Sequence, residues 1–341
     1  MSHSEKTFGG IRHHYWEWPI ASYLFLGGLG GGIFALTAIF AMFVYPSAFD
    51  VVGFVMAWPC FIAIACLAFG CFLLVFELGQ PLVFLRCFIK SSSIICWGAR
   101  LLTVCLICGF VWALTWIPRD WLGLPLGALG VLEGWRDIMM WLAGLSGLGI
   151  MLYTGIMLST LKAHAFWATP VLPVLFTTSA LSTACAAITL SVGWWPAPLA
   201  FEILIASEAI EEIIHIVDLI LVACEIAILL IMVLSFLGAG NKTANAVAKR
   251  WVIGKWAGFF WVGLLGIGLV APEIIYILWP GTAASTIAAP ILVLCGGLLL
   301  RFMMVYSDDR APLPGENEYY TKLPSRDAKF LHAWKKGENL Y

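Results

Sequence analysis

Charge is scarce in this chain. Asp, Glu, Lys and Arg make up only 11% of its 341 residues, where a water-soluble domain carries about a quarter. Hydrophobic residues account for 62%, and the mean hydropathy is +0.94. That balance excludes a soluble domain, and no nucleic-acid partner is expected. Alternation of polar and apolar positions is missing too, which excludes a transmembrane barrel. The apolar runs are instead twenty-odd residues long, matching helices of about 20 residues that cross about 30 Å of hydrocarbon and satisfy their own backbone there. The expected fold class is an all-α integral membrane protein, a bundle of about eight transmembrane helices.

Metal-ligand pairs are equally sparse. His215 is the only histidine inside a span, because His3, His13, His14, His164 and His332 fall in termini or loops. A b-type haem held by paired histidines is therefore not expected. Glu212-Ile-Ile-His215 supplies half of a di-iron ligand set, but no second such pair stands on another span. The ten cysteines do not form a disulfide framework: Cys60, Cys66, Cys71, Cys105, Cys108, Cys185, Cys224 and Cys295 lie within apolar runs, where Cys acts as a small hydrophobe. Cys105-Leu-Ile-Cys108 has redox-motif spacing without a second pair. A cleavable signal peptide is not expected either, since residues 1–15 are polar and the first apolar run is too long for one. Glu338-Asn339-Leu340-Tyr341 reads as the remnant of an engineered cleavage tag.

Spans are expected at 19–45, 53–76, 93–117, 138–160, 170–192, 207–237, 256–279 and 283–305. Trp16, Trp18, Trp116, Trp121, Trp194, Trp195 and Trp279 crowd their ends as interfacial belts. The sixth run exceeds one crossing, so it tilts strongly or starts at the interface. Gly27, Gly28, Gly30, Gly31 and Gly32 in the first span point to close helix packing by small residues. An even number of spans puts both termini on one side. All Lys and Arg except Arg100, Arg119 and Arg136 are assigned to that side, Arg301 among them, so the positive-inside rule places the termini in the cytoplasm. The expected organisation is a cytoplasmic segment over 1–18, a membrane domain over 19–306, a cytoplasmic tail over 307–337 that could hold a soluble partner, and the tag remnant over 338–341.

Ionisable groups inside a bilayer are costly and point to function. In the sixth run Glu208, Glu211, Glu212, His215, Asp218 and Glu225 fall within about 140° of helical arc, one stripe expected to face the bundle interior or a wet cavity. It reads as a proton relay, or, over Glu208 to Glu212, as a first turn solvated among headgroups. A second group lies toward the cytoplasmic boundary: Tyr23, Glu77 and Arg100, with Tyr153 deeper. A phenol that donates to a carbonyl and a carboxylate that exchanges protons are what a quinone headgroup needs. Tyr23 also reads as a belt residue, and Glu77 as a cap beside Arg86.

Several segments carry a resemblance. Trp16-Glu-Trp-Pro-Ile-Ala-Ser-Tyr23-Leu-Phe-Leu-Gly27-Gly with Leu-Gly-Gly-Gly32, Glu77-Leu-Gly-Gln-Pro81, Leu152-Tyr-Thr-Gly155, Phe166-Trp-Ala-Thr-Pro-Val-Leu-Pro173-Val-Leu-Phe176, Ser179-Ala-Leu-Ser-Thr183 and Leu294-Cys-Gly-Gly297 through Arg301-Phe-Met-Met-Val-Tyr306 run in order over most of the sequence. They resemble the NrfD/PsrC family of polysulfide-reductase-like membrane anchors. The resemblance implies a quinone-reactive subunit of a bacterial inner-membrane oxidoreductase. Such a subunit carries no prosthetic group of its own and binds menaquinone or ubiquinone. It docks a ferredoxin-like iron–sulfur subunit, which is wired to a molybdopterin catalytic subunit. Carried over by motif, the quinone contacts are Tyr23, Glu77 and Tyr153. Some relatives have His where Tyr23 stands and Asn where Ile20 stands, which leaves proton delivery open. Well-known relatives also face their catalytic subunits outward, whereas the charge asymmetry here points inward. A sulfite dehydrogenase facing the cytoplasm and an outward-facing polysulfide or sulfur-compound reductase are the substrate readings. A proton-conducting or transporter-type protein using the acidic stripe, and an inert anchor, are the alternatives.

Overall fold

The computed structural model describes residues 18–44, 49–77, 93–116, 134–192, 201–238 and 240–309, leaving aside the side chains of 44, 49–52, 54, 76–77 and 201–206. Helices dominate these residues: α1 (Trp18–Ile39), α2 (Phe49–Glu77), α3 (Ile94–Leu114), α4 (Arg136–Ser159), α5 (Val171–Val192), α6 (Phe201–Gly238), the short α7 (Lys242–Val252), α8 (Phe259–Leu278) and α9 (Ala284–Val305). All but α7 are long and apolar enough to span a membrane, giving 8 such spans among the described residues. The all-α membrane bundle is thus observed.

Helix α1 is the axis of the bundle, packed against α2, α4, α5 and α9. Its glycines explain why. A Cβ added at Gly30 would stand 2.9 Å from Ala63 O of α2, one at Gly31 2.6 Å from Gly147 O of α4, and one at Gly32 2.8 Å from Ala180 O of α5. Three consecutive glycines therefore admit three different neighbours to backbone contact, the use of small residues expected inside bilayers. The same device joins α8 to α9, where Gly268 and Gly296 abut. A Cβ at Gly155 would collide with the Pro173 backbone, and one at Gly297 with Thr183. Close helix contact accounts for these motif glycines.

Helix α6 has 38 residues, about 57 Å at about 1.5 Å per residue, and so overshoots the hydrocarbon layer. Its last carbonyls are capped by Asn245, whose Nδ2 donates to Leu237 O at 2.7 Å. Asn241 then starts α7, its side chain accepting from Thr243 N at 3.1 Å and Ala244 N at 3.3 Å. Helix α7 is amphipathic, burying Ala244, Val247, Ala248 and Trp251. It is an element the span reading did not contain.

The side shared by the start of α1 and the end of α9 is closed by the connection between α4 and α5. Trp167 Nε1 donates to Met304 O at 2.8 Å, His164 Nδ1 meets Asp308 O at 2.9 Å, and Trp251 Nε1 donates to Ser307 Oγ at 2.9 Å. Arg250 pairs with Asp309 at 2.6 Å. We call this the terminal side. The nine cysteines among the described residues are free; Cys105, for example, points its Sγ at Ala143 O at 3.6 Å. Arg301 corrects the charge assignment: it lies inside the bundle, 1% exposed, where its guanidinium donates to Phe176 O and lies over the Phe176 ring.

Candidate functional site

Tyr23 lies about 8 Å in from the start of α1 and Tyr153 about 9 Å before the end of α4, at about 1.5 Å per residue. Because the two helices run oppositely, these positions lie at about the same level. Both are buried, at 2% and 6% exposure, in one core cluster, with their phenols within electrostatic reach of each other. Glycines from two other helices make room for the rings. A Cβ at Gly70 of α2 would stand 3.5 Å from Tyr23 Cδ2, and one at Gly98 of α3 would overlap the Tyr153 ring. Four helices therefore converge on this pair.

The Tyr153 hydroxyl donates to Met157 Sδ at 3.1 Å. A thioether is a weak acceptor, so this donor can be redirected to a carbonyl oxygen at small cost. Glu77 is the last residue of α2, and its side chain lies outside the described residues. Arg100 is two residues beyond Gly98, on nearly the opposite face of α3, and its guanidinium carbon sits 5.4 Å from the centroid of the exposed Trp97 ring.

The stripe on α6 divides. Asp218 and Glu225 are each 1% exposed, whereas Glu208 and Glu212 are exposed and Glu211 and His215 half-buried. The expectation that the whole stripe faces inward fails for Glu208 and Glu212, because they lie on the face of α6 opposite Ile210, which is packed into the core. Residues the stripe reading missed complete the inner part. His215 stacks on Tyr276 of α8 with centroids 4.6 Å apart. Glu273 of α8 is buried one turn before it, and Arg301 of α9 donates through Nη2 to Phe176 O at 2.9 Å. The signal for Glu273 and Arg301 was present: each is an ionisable residue within an apolar run.

Compared with known proteins, residues 8–308 match the family model described as polysulphide reductase, NrfD. The chain belongs to this NrfD family. Among curated relatives, protein NrfD of Escherichia coli is 28% identical over 315 residues, covering 86% of this chain and 94% of that protein. The C subunit of polysulfide reductase from Wolinella succinogenes is 26% identical over 318 residues, covering 89% and 98%. NrfD-family proteins are membrane subunits of oxidoreductase complexes, so this one is a multipass membrane component of redox machinery. The matched region contains every NrfD-like motif noted above and extends from before Tyr23 to beyond Arg301.

Proposed function

We propose that this NrfD-family protein is the quinone-reactive anchor of a molybdopterin/iron–sulfur oxidoreductase. It exchanges electrons between menaquinone or ubiquinone in the membrane and a docked ferredoxin-like iron–sulfur subunit, for an inorganic sulfur substrate such as sulfite or polysulfide. The observation that carries this reading is the buried Tyr23–Tyr153 pair near the terminal side, whose Tyr153 hydroxyl ends on a thioether. A bound quinone supplies a two-electron, two-proton couple. Tyr153 would turn its hydroxyl from Met157 to a quinone oxygen, and Tyr23 would orient Tyr153. Glu77, at the α2 end nearest the same side, would exchange protons with water, while Arg100 stays at the headgroup rim. The Lys and Arg asymmetry supports cytoplasmic termini in a bacterial inner membrane.

Tyr153→Phe in the assembled complex tests this. Quinone-linked turnover should fall about tenfold, the worth of a hydrogen bond of about 1 to 1.5 kcal/mol. Turnover with an artificial dye should stay intact, because the dye takes electrons from the partner subunits. Equal quinone turnover in Tyr153→Phe, Tyr23→Phe and wild type would remove the pair from the site.

A further inference from the structure

Helix α7 turns one face to the bundle and the other outward. Its inner face is fixed by Trp251, whose ring packs on Phe166 at 5.2 Å and on Phe260 of α8 at 5.7 Å between centroids. The outer face presents Lys242, Ala246 and Lys249, one ridge at helical spacing. Just past the end of the helix, Ile253 extends that ridge and is 80% exposed. Lys255 is exposed two residues later.

The chain holds this corner in place. Ile253 N and Gly254 N both donate to Lys249 O at 2.9 Å, and Trp256 N donates to Arg250 O at 3.2 Å. A Cβ at Gly254 would stand 2.7 Å from Arg250 Cα, so the turn needs its glycine. Trp261 Nε1 of α8 donates to Val252 O at 3.0 Å. Arg250 is occupied within the corner, paired with Asp309 at 2.6 Å and lying over the Trp256 ring at 4.6 Å. The lysines are different: among the described residues no acidic side chain pairs with Lys242, Lys249 or Lys255.

Both helices that α7 joins carry apolar side chains outward at this level. Leu234 stands about one turn before the end of α6, and Phe259, Trp261 and Val262 stand at the start of α8; all four are exposed. On spanning helices such residues face acyl chains. Ile253 continues this rim, because the Trp261 indole bonds to the carbonyl next to it. Water suits the ammonium groups and not the isoleucine, and hydrocarbon suits the isoleucine and not the ammonium groups. The headgroup layer meets both demands: Trp collects there, and lysines run their stems over apolar surface with the charge in the polar zone. A protein partner fits less well. Lys is depleted and Arg enriched in protein interfaces, whereas here the Arg is paired inward and the available cations are all lysines.

We propose that the corner between α7 and α8 binds an anionic phospholipid of the surrounding leaflet. Lys249 and Lys255 attract its phosphate, and its acyl chains run over Ile253 and the outer side of α8. A lysine ammonium binds phosphate as a point charge, so the site selects for headgroup charge rather than headgroup shape. Lys242, further along the same ridge, adds attraction without direct contact. The lipid braces α7 from outside while Trp251 Nε1 ties it from inside to Ser307 Oγ, just past the end of α9, at 2.9 Å. Anionic lipid therefore stabilises the closure of the terminal side. None of this depends on the quinone reading.

Photolabelling tests this on the detergent-purified protein with its co-purifying subunits. Phosphatidylglycerol and phosphatidylcholine, each with a diazirine in one acyl chain, are added separately at subsaturating concentration, and labelled peptides are mapped by mass spectrometry. Phosphatidylglycerol should label residues 249–262 more than phosphatidylcholine does, and raised salt should remove the difference. Lys249→Gln with Lys255→Gln should lower the phosphatidylglycerol labelling there about thirtyfold, about fivefold for each charge, and leave phosphatidylcholine labelling unchanged. Ile253→Ser should lower both, which binding of phosphate alone would not. Unlabelled phosphatidylglycerol should raise the melting temperature of the wild-type protein and not of the double lysine variant. Equal labelling by the two lipids, or phosphatidylglycerol labelling indifferent to the lysine substitutions, overturns the site. Lipid labelling kept in a double variant that loses its co-purifying subunits also overturns it, and makes the corner a protein interface.

Discussion

Arg301 has a single hydrogen bond, to Phe176 O, and one opposite charge, Glu225. Glu225 is within electrostatic reach of Arg301 rather than in contact with it, and removing the guanidinium also removes the hydrogen bond to Phe176 O and leaves a buried carboxyl without its opposite charge, at a cost of up to about 3 kcal/mol. Arg301→Met should therefore lower the melting temperature of the detergent-solubilised complex sharply. Adding Glu225→Gln to Arg301→Met should recover more than half of the loss; a double variant less stable than either single one would show that the two side chains do not act as a pair. The sequence singled out Asp218 and Glu225 because they recur on one helical face with four other ionisable groups. Glu273 and Arg301 stand singly in their spans, without periodicity, and Arg301 sits close enough to a helix end to pass for a surface charge. Which buried groups meet is a relation between helices, and no single span contains it.

At the scale of elements, α1 depends on its glycines. Gly31 lies against the Gly147 carbonyl, so Gly31→Ala should force α1 and α4 apart and cost about 1–3 kcal/mol, read as a fall in thermal stability and in recovery of the assembled complex. Gly258 has nothing within 4 Å of an added Cβ and ordinary helical angles. Gly258→Ala should therefore be neutral or stabilise by about 0.4–1 kcal/mol. Equal effects at the two sites would show that the glycines of α1 are not packing residues. The run of glycines was legible as small-residue packing, but its three separate partners were not, because glycine carries no side chain to mark a preferred neighbour. Helix α7 escaped the span reading for a different reason. At 11 residues, with Lys242, Lys249 and Arg250, it is too short and polar to register as a crossing, and its order comes from the buried Trp251 and the Asn241 cap.

For the whole molecule, the side occupied by the termini decides where a partner docks. Lys162, Lys249 and Lys255 are exposed on the terminal side, and Ile253 beside them is 80% exposed. With the termini in the cytoplasm, a cysteine in place of Lys249, in a background lacking the exposed Cys224 and Cys295, should react with a membrane-impermeant maleimide in inverted vesicles and not in intact spheroplasts. The opposite pattern would turn the protein over and place the docked partner outside. The spans and the membership of the NrfD family were legible in the sequence alone, because a hydrocarbon layer about 30 Å thick imposes length and apolarity on contiguous residues. Tertiary structure alone decided that Tyr23 and Tyr153 come together, that Glu208 and Glu212 of the acidic stripe look outward, and that Glu225 comes within electrostatic reach of Arg301. Those pairings join residues far apart in sequence, and the close approach of glycine-faced helices selects them.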